Sequence, residues 1–261
     1  MTWKPELFWT QEYDLPPGVG YPLWGAVHLA QAAAVILIIA AVLCAAGRRR
    51  KPDGMPRYVR IIPAVMLVME IVKDFYLVRV GHFGLGYLPL HLCSLGIPVF
   101  LLSAFLPRQR GRAFFAEIAL VLILPGSIMA ILFPNWTMYP VWNFMNLYSW
   151  AWHLLLVLYP LLLLRLGAAR PSIRHILFPV IFLAAVVPPI YLFDRAYSCN
   201  YLFLLQPLPG TPLMWFYTMF PGRYLAAYAA AALAVIVSVY GVYALLLRAV
   251  ESRSPRREQE M

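Results

Sequence analysis

Apolar residues dominate seven stretches of the chain, and each is long enough for a helix that crosses a bilayer. These stretches are residues 22–46, 58–79, 87–106, 113–133, 140–165, 173–193 and 222–247. A membrane-spanning helix needs about 20 mostly apolar residues, whereas a membrane strand has about 10 residues of alternating polarity. The pattern therefore predicts an all-α, polytopic membrane bundle of seven transmembrane helices rather than a barrel.

Composition supports the same class of protein. Hydrophobic residues make up 62% of the 261 residues and charged residues 12%. A water-soluble domain of this composition would expose large apolar patches. We find no Walker, Rossmann or metal-ligand spacing, so the sequence predicts neither a cofactor nor a metal site.

Most of the basic residues behind the net charge of +10 lie in the loops between the predicted helices. This distribution does not indicate a nucleic-acid partner. Sixteen basic residues fall on one side of the predicted bundle, at positions 48–51, 57, 60, 108, 110, 112, 165, 170, 174, 248, 253, 256 and 257. The other side holds Lys4, Arg79, Arg195 and Arg223. Because basic loops stay in the cytoplasm, this asymmetry predicts an outside N-terminus and a cytoplasmic C-terminus.

Three segments follow from these boundaries. Residues 1–21 carry Glu6, Glu12 and Asp14 and no apolar core, which predicts an outer interfacial segment without a signal peptide. Residues 22–248 form the predicted transmembrane domain. Residues 249–261 are highly charged and predict a disordered cytoplasmic tail.

Several ionisable groups lie inside the apolar stretches, where such groups usually bind a partner or line a cavity. Glu70, Lys73 and Asp74 fall within an arc of about 100° on the second helix. They fit either an internal ion pair that fixes helix packing or part of a substrate site. In the next stretch, His91 and Cys93 are separated by one residue, or about 200° on a regular helix, so they do not form a dyad unless Pro89 distorts the first turn.

The fifth helix offers a second polar stripe. Asn143, Asn146, Trp150 and His153 follow three-four-three spacing, which suits either interhelical hydrogen bonds or a site. Because His91 points away from Cys93 on a regular helix, a base that activates Cys93 is expected from another helix. His153 and His28 are the candidates. Two alternatives remain open for Cys93: a packing role, and a disulfide with Cys199.

Two segments of the chain resemble a known family. Residues 88–94, Leu-Pro-Leu-His-Leu-Cys-Ser, and residues 200–204, Asn-Tyr-Leu-Phe-Leu, resemble motifs of the YwaF family of bacterial integral membrane proteins. That family is similar to eukaryotic transmembrane protein 164. The resemblance implies seven helices, the bacterial cytoplasmic membrane, and transfer of a fatty acyl chain from a phospholipid to a lysophospholipid, with Cys93 as the acyl carrier.

This resemblance gives each candidate residue a chemical expectation. Cys93 would attack the lipid ester and carry the acyl group as a thioester, with His153 as the first-choice base and His91 as the second. Asn143 or Asn146 would donate to the oxyanion, and Lys73 or His91 would meet a lipid phosphate. The remaining predicted cavity residues are His28, Glu70, Asp74, Asn200 and Tyr201. Membrane phospholipids are the expected partners, and a lipase-like hydrolase, a transporter or a ligand-binding sensor are the alternatives.

Overall fold

All regular structure in the described residues, 4–46 and 56–251 of a computed structural model, is helical. The helices are α1 Ala26–Ala46, α2 Arg57–Arg79, α3 Leu92–Phe105, α4 Gln109–Leu132, α5 Phe144–Arg165, α6 Leu177–Tyr197, α7 Pro212–Met219 and α8 Tyr224–Glu251. Helix α7 is short and was not predicted. Several predicted features lie outside the described residues: the basic positions 48–51, 253, 256 and 257, and the predicted tail beyond Glu251.

Within this part of the chain, five helices are long and apolar enough to cross a membrane. They are α1, α4, α5, α8 and the segment Ile173–Tyr197 that contains α6. The prediction of a helical membrane protein is thereby confirmed. Helices α2 and α3 differ from the other predicted spans, because α2 carries the Glu70, Lys73 and Asp74 charges and α3 has only 14 residues.

Several helices begin later than the hydrophobic pattern predicted, and in two of them, α3 and α5, a candidate site residue stands at the N-cap position. Helix α3 begins at Leu92 because Leu85–Tyr87 form a 3-10 turn and His91 has an extended backbone at the N-cap position. Helix α5 begins at Phe144, after Asn143 accepts a hydrogen bond from the Met145 backbone N–H. Both helices are therefore shorter at this end than predicted, and His91 and Asn143 lie before the first turn.

Helices α3 and α5 run parallel through the core of the bundle. Gly96 faces Leu156 so closely that an added Cβ would lie 2.5 Å from a Leu156 methyl group. Further along both helices, Phe100 stacks on Tyr159 with ring centroids 4.3 Å apart. Since Cys93 lies one turn before Gly96 and His153 one turn before Leu156, the two side chains stand at the same level of the bundle.

Residues 4–25, which we call the cap, close one end of the bundle over the seam between α2 and α5. Two backbone carbonyls of the cap, those of Leu7 and Thr10, accept hydrogen bonds from the Asn143 amide at 2.7 and 2.8 Å. The Tyr76 hydroxyl donates to the Trp9 carbonyl at 2.9 Å. The capped end therefore contains the end of α2 and the beginnings of α3 and α5.

The cap approaches the loop after α4 at Gly20, which gives a first testable prediction. A Cβ on Gly20 would lie 2.2 Å from the Thr137 carbonyl oxygen, and this oxygen also accepts a hydrogen bond from the Tyr21 N–H at 2.9 Å. Because backbone atoms cannot move aside as a side-chain end can, we expect Gly20→Ala to destabilise the protein by about 1–3 kcal/mol.

Thermal unfolding in detergent micelles measures this effect. Gly84→Ala is the matched control, because a Cβ on Gly84 would meet nothing within 4 Å and its backbone is extended. An equal melting temperature for Gly20→Ala and Gly84→Ala would contradict the tight approach.

Candidate functional site

A buried polar cluster joins α2 to α5 directly beneath the cap. The Lys73 ammonium lies 2.7 Å from a Glu70 carboxylate oxygen and 3.1 Å from an Asp74 oxygen. Glu70 and Lys73 are only 5% and 7% exposed. The Tyr148 hydroxyl donates to the other Glu70 oxygen at 2.8 Å. Helical phase predicted that all three charged residues face the interior; Glu70 and Lys73 do so, whereas the Asp74 side chain is 32% exposed.

Tyr148 was missing from the residues selected by sequence, although the charges themselves indicate a further donor. Two carboxylates share one ammonium group, which leaves the cluster with a formal charge of −1. A buried carboxylate oxygen without a donor is costly, so a hydroxyl, amide or N–H group is required on a facing helix. Tyr148 satisfies this requirement, and its ring stacks on Trp152 with centroids 5.4 Å apart.

Cys93 lies next to this cluster as the second residue of α3. Its thiol is a free, partly exposed group beside the backbone N–H groups of Cys93 and Ser94 and the Ser94 hydroxyl. It is also within electrostatic range of Glu70 and Tyr148. Cys199 is free as well, so the structure does not contain the alternative disulfide.

The two sequence motifs that carry the family resemblance meet around His91. The His91 ring lies 4.8 Å from the Tyr201 ring and 5.5 Å from the Phe203 ring, measured between centroids. Tyr201 in turn donates from its hydroxyl to the Leu85 carbonyl. Burial raises the pKa of Tyr201 to about 12. Tyr201 therefore fixes the segment that leads into α3.

Side-chain hydrogen bonds shape the first part of the loop after α6. The side-chain oxygen Oδ1 of Asn200 accepts from the backbone N–H groups of Leu205 and Gln206 at 3.1 and 3.2 Å. Leu202 and Phe203 have φ values of 54° and 57°, in the left-handed region. Non-glycine residues remain in that region only where surrounding contacts hold them.

Helix α8 supplies those contacts. The Tyr224 hydroxyl donates to the Phe203 carbonyl at 2.7 Å, and the Tyr228 hydroxyl donates to the Leu202 carbonyl at 3.1 Å. The fully buried Asp194 accepts from the Tyr201 N–H at 3.0 Å. Sequence reasoning missed Asp194, although a single carboxylate near the end of the sixth apolar stretch is a signal for such a tether.

His153 has a defined tautomer. Its Nδ1 donates to the Ser149 carbonyl at 2.8 Å, since a carbonyl only accepts, which leaves Nε2 as the nitrogen with a lone pair. The ring is 6% exposed and stacks on Trp136 with centroids 4.6 Å apart. Among the described residues, no hydrogen bond joins His153 to Cys93, and catalytic hydrogen bonds are often long before substrate binds.

His28 is placed differently, because both of its ring nitrogens have partners. Nδ1 accepts from the Trp24 backbone N–H at 3.0 Å. Nε2 donates to the Ile131 carbonyl at 2.9 Å. His28 therefore ties α1 to the end of α4 and has no lone pair available for a thiol proton.

The two predicted amide donors also have local partners. Both Asn143 amide hydrogens are directed to cap carbonyls, as described above. The Asn146 amide donates to the Val141 carbonyl at 2.8 Å, and its oxygen accepts from the Tyr21 hydroxyl at 2.6 Å. Both residues hold the cap and its adjoining loop. In the residues that the structure describes, no group of three His, Cys, Asp or Glu side chains is placed to bind a metal ion.

Comparison with known protein families gives a match over most of the chain. The family model described as the TMEM164 family matches residues 23–243, a region that includes α1 to α7, most of α8, and every candidate residue discussed above. Neither the curated proteins nor the solved structures gave a match.

Proposed function

Because the chain belongs to the TMEM164 family, we propose that it is a membrane-embedded acyltransferase that carries a fatty acyl chain as a thioester on Cys93. The donor is a phospholipid and the acceptor is a lysophospholipid. One observation carries this proposal: a free thiol lies at the start of α3, beside a buried network of Glu70, Lys73 and Tyr148. Within the family, we assign the chain to the bacterial YwaF branch.

The proposed topology has seven spans, with α2 and α3 added to the five long apolar helices. The charges of α2 suit a span because Lys73 neutralises Glu70 internally. The 14 residues of α3 rise about 21 Å, and the segment that precedes it supplies the remaining depth. In this proposal, the capped end lies on the outer side of the bacterial cytoplasmic membrane, and the excess of basic residues in the loops at the opposite end supports that orientation.

The N-terminus of α3 gives the thiol a suitable electrostatic environment. No side chain caps the first N–H groups of this helix. The positive end of a helix dipole and its free N–H groups stabilise an anion, and here the anion is the Cys93 thiolate. Position two of α3 is therefore a better place for a nucleophilic cysteine than the apolar middle of the same helix.

The acylation step follows from these groups. His153 Nε2 accepts the thiol proton while the Cys93 sulfur attacks the ester carbonyl carbon of the phospholipid. The carbonyl electrons move onto oxygen and give a tetrahedral oxyanion. When this intermediate collapses, the carbon–oxygen bond to the glycerol breaks, and the departing alkoxide takes the proton from His153. The products are a lysophospholipid and an acyl thioester on Cys93.

In the second half of the reaction, the acyl group leaves Cys93 for the acceptor lipid. A lysophospholipid hydroxyl loses its proton to His153 and attacks the thioester, and the cysteine sulfur leaves and recovers the proton. If water takes the place of this hydroxyl, the same steps give a lipase-like hydrolysis. The apolar helices around the site favour a lipid acceptor because they limit the access of water.

Mass spectrometry of the purified protein tests the proposal. In nanodiscs of phosphatidylcholine with a deuterated acyl chain, we expect a hydroxylamine-sensitive acyl adduct on Cys93. Cys93→Ala should give no adduct, whereas Cys199→Ala should behave as the wild type. Because Cys44 is exposed and Cys199 partly exposed, they report non-specific acylation in the same sample.

Two results would count against acyl transfer. Equal labelling of Cys44, Cys93 and Cys199 would indicate chemical acylation without a site. Absence of an adduct from wild-type protein with phosphatidylcholine, phosphatidylethanolamine and phosphatidylglycerol would favour a transporter or a sensor that uses the same polar cluster.

A further inference from the structure

The proposed reaction requires a donor for the tetrahedral oxyanion, and the amides predicted from the sequence are directed elsewhere. Both Asn143 amide hydrogens bind the carbonyls of Leu7 and Thr10. The Asn146 amide binds the carbonyl of Val141. The first N–H groups of α3 can supply one donor, and a second donor is sought among the other polar side chains near Cys93.

Tyr148 is such a side chain. Tyr148 and Cys93 pack against the same hydrophobic core, and the Tyr148 hydroxyl is held by Glu70 at 2.8 Å. Stacking against Trp152 fixes the plane of its ring. Its helix, α5, runs parallel to α3. Tyr148 comes before His153 on this helix and therefore lies closer to the cap than Cys93 does. A lipid with its acyl chain inside the bundle would have its head group at this level.

We propose that Tyr148 is a catalytic residue that donates a hydrogen bond to the oxyanion formed at Cys93. This inference rests on the proposed acyl transfer. As the carbonyl oxygen becomes negative, the Tyr148 hydroxyl turns from the Glu70 carboxylate to the oxyanion. The phenol keeps its proton throughout, so no further proton acceptor is required. When the intermediate collapses, the hydroxyl returns to Glu70.

Lys73 makes this exchange of partners favourable. A buried carboxylate that lost its only donor would carry a large desolvation cost. Glu70 keeps the Lys73 ammonium at 2.7 Å on its other oxygen while the phenol is turned away. The Glu70–Lys73 ion pair thus positions the Tyr148 hydroxyl and still allows it to change its hydrogen-bond partner during the reaction.

The test compares two reactions of the same thiol in Tyr148→Phe. Acyl-adduct formation from phosphatidylcholine passes through an oxyanion, whereas alkylation of Cys93 by iodoacetamide does not. We expect acyl-adduct formation to slow about 100-fold, as for loss of one oxyanion donor in other acyl-transfer enzymes, while alkylation keeps its wild-type rate. Tyr159→Phe is the matched control, because that phenol lies on the same helix but hydrogen-bonds to Ser103 deeper in the core.

A parallel fall in both reactions of Tyr148→Phe, or no fall in either, would overturn the role of Tyr148. If Tyr148→Phe does not fold, replacing Tyr148 by 3,5-difluorotyrosine retains the shape and makes the phenol a stronger donor. Faster acylation at unchanged alkylation supports the proposal, and an unchanged acylation rate overturns it. Wild-type protein that never acylates Cys93 would instead reject acyl transfer itself, which separates that failure from a failure of Tyr148 alone.

Discussion

Replacing His153 by asparagine is expected to slow acylation of Cys93 by about 10²–10⁴-fold, the usual contribution of a positioned general base. The asparagine amide can still donate to the Ser149 carbonyl in place of Nδ1, so the local structure is retained. It has no basic nitrogen in the position of Nε2. Rates of adduct formation in nanodiscs, measured by mass spectrometry, give the ratio directly.

The matched control is His175→Asn, at the end of the bundle opposite the cap. His175 lies 3.4 Å from Glu117 and takes no part in the proposed reaction. The His175→Asn variant should therefore become acylated on Cys93 at the wild-type rate. If His153→Asn also acylates at that rate, His153 is not the base, and His91, whose ring lies against Tyr201 and Phe203, becomes the candidate.

Replacing Lys73 by methionine is expected to lower the free energy of unfolding by about 3–5 kcal/mol, the cost of leaving a buried charge without its partner. Glu70 would keep only the Tyr148 hydroxyl as a donor. Asp74 contributes less to this cost because its side chain is 32% exposed and is partly screened. Chemical or thermal unfolding in detergent micelles measures the change.

A second substitution tests the cause of that loss. Adding Glu70→Gln to Lys73→Met removes the unpaired charge and leaves an amide oxygen that still accepts from Tyr148. We expect the double variant to recover most of the lost stability. If it is no more stable than Lys73→Met, the lysine contributes through its packing and not through its charge.

Hydrophobic length predicted the helical membrane bundle well but predicted helix starts poorly. The apolar run at 87–106 includes Leu88 and Leu90, which pack with Tyr201 and Leu202 outside the helix. Apolar composition does not distinguish such a buried extended segment from the first turns of a helix. Asn143 had a clearer signal, because an asparagine before an apolar run is a common N-cap.

For the candidate site, residues on a single helix were easier to predict than pairs across helices. Helical phase correctly grouped Glu70, Lys73 and Asp74. It could not indicate that both nitrogens of His28 have backbone partners, since these lie at Trp24 and at the distant Ile131. Nor could it select Tyr148, because a tyrosine among many aromatic residues carries no sign of its partner until α2 and α5 are placed together.

The attachment of the cap also constrains the order of biosynthesis. The cap is made before α5, and the Asn143 amide that binds its Leu7 carbonyl comes 136 residues later in the chain. Tyr76 of α2 can hold the cap early, but the Asn143 anchor becomes available only after the first four helices have been made. Until α5 enters the membrane, Glu70 and Lys73 lack Tyr148, and the cap above them lacks its hydrogen bonds to Asn143. A nascent chain that stops before this point cannot assemble the site, so any acylation must begin only after α5 has been inserted.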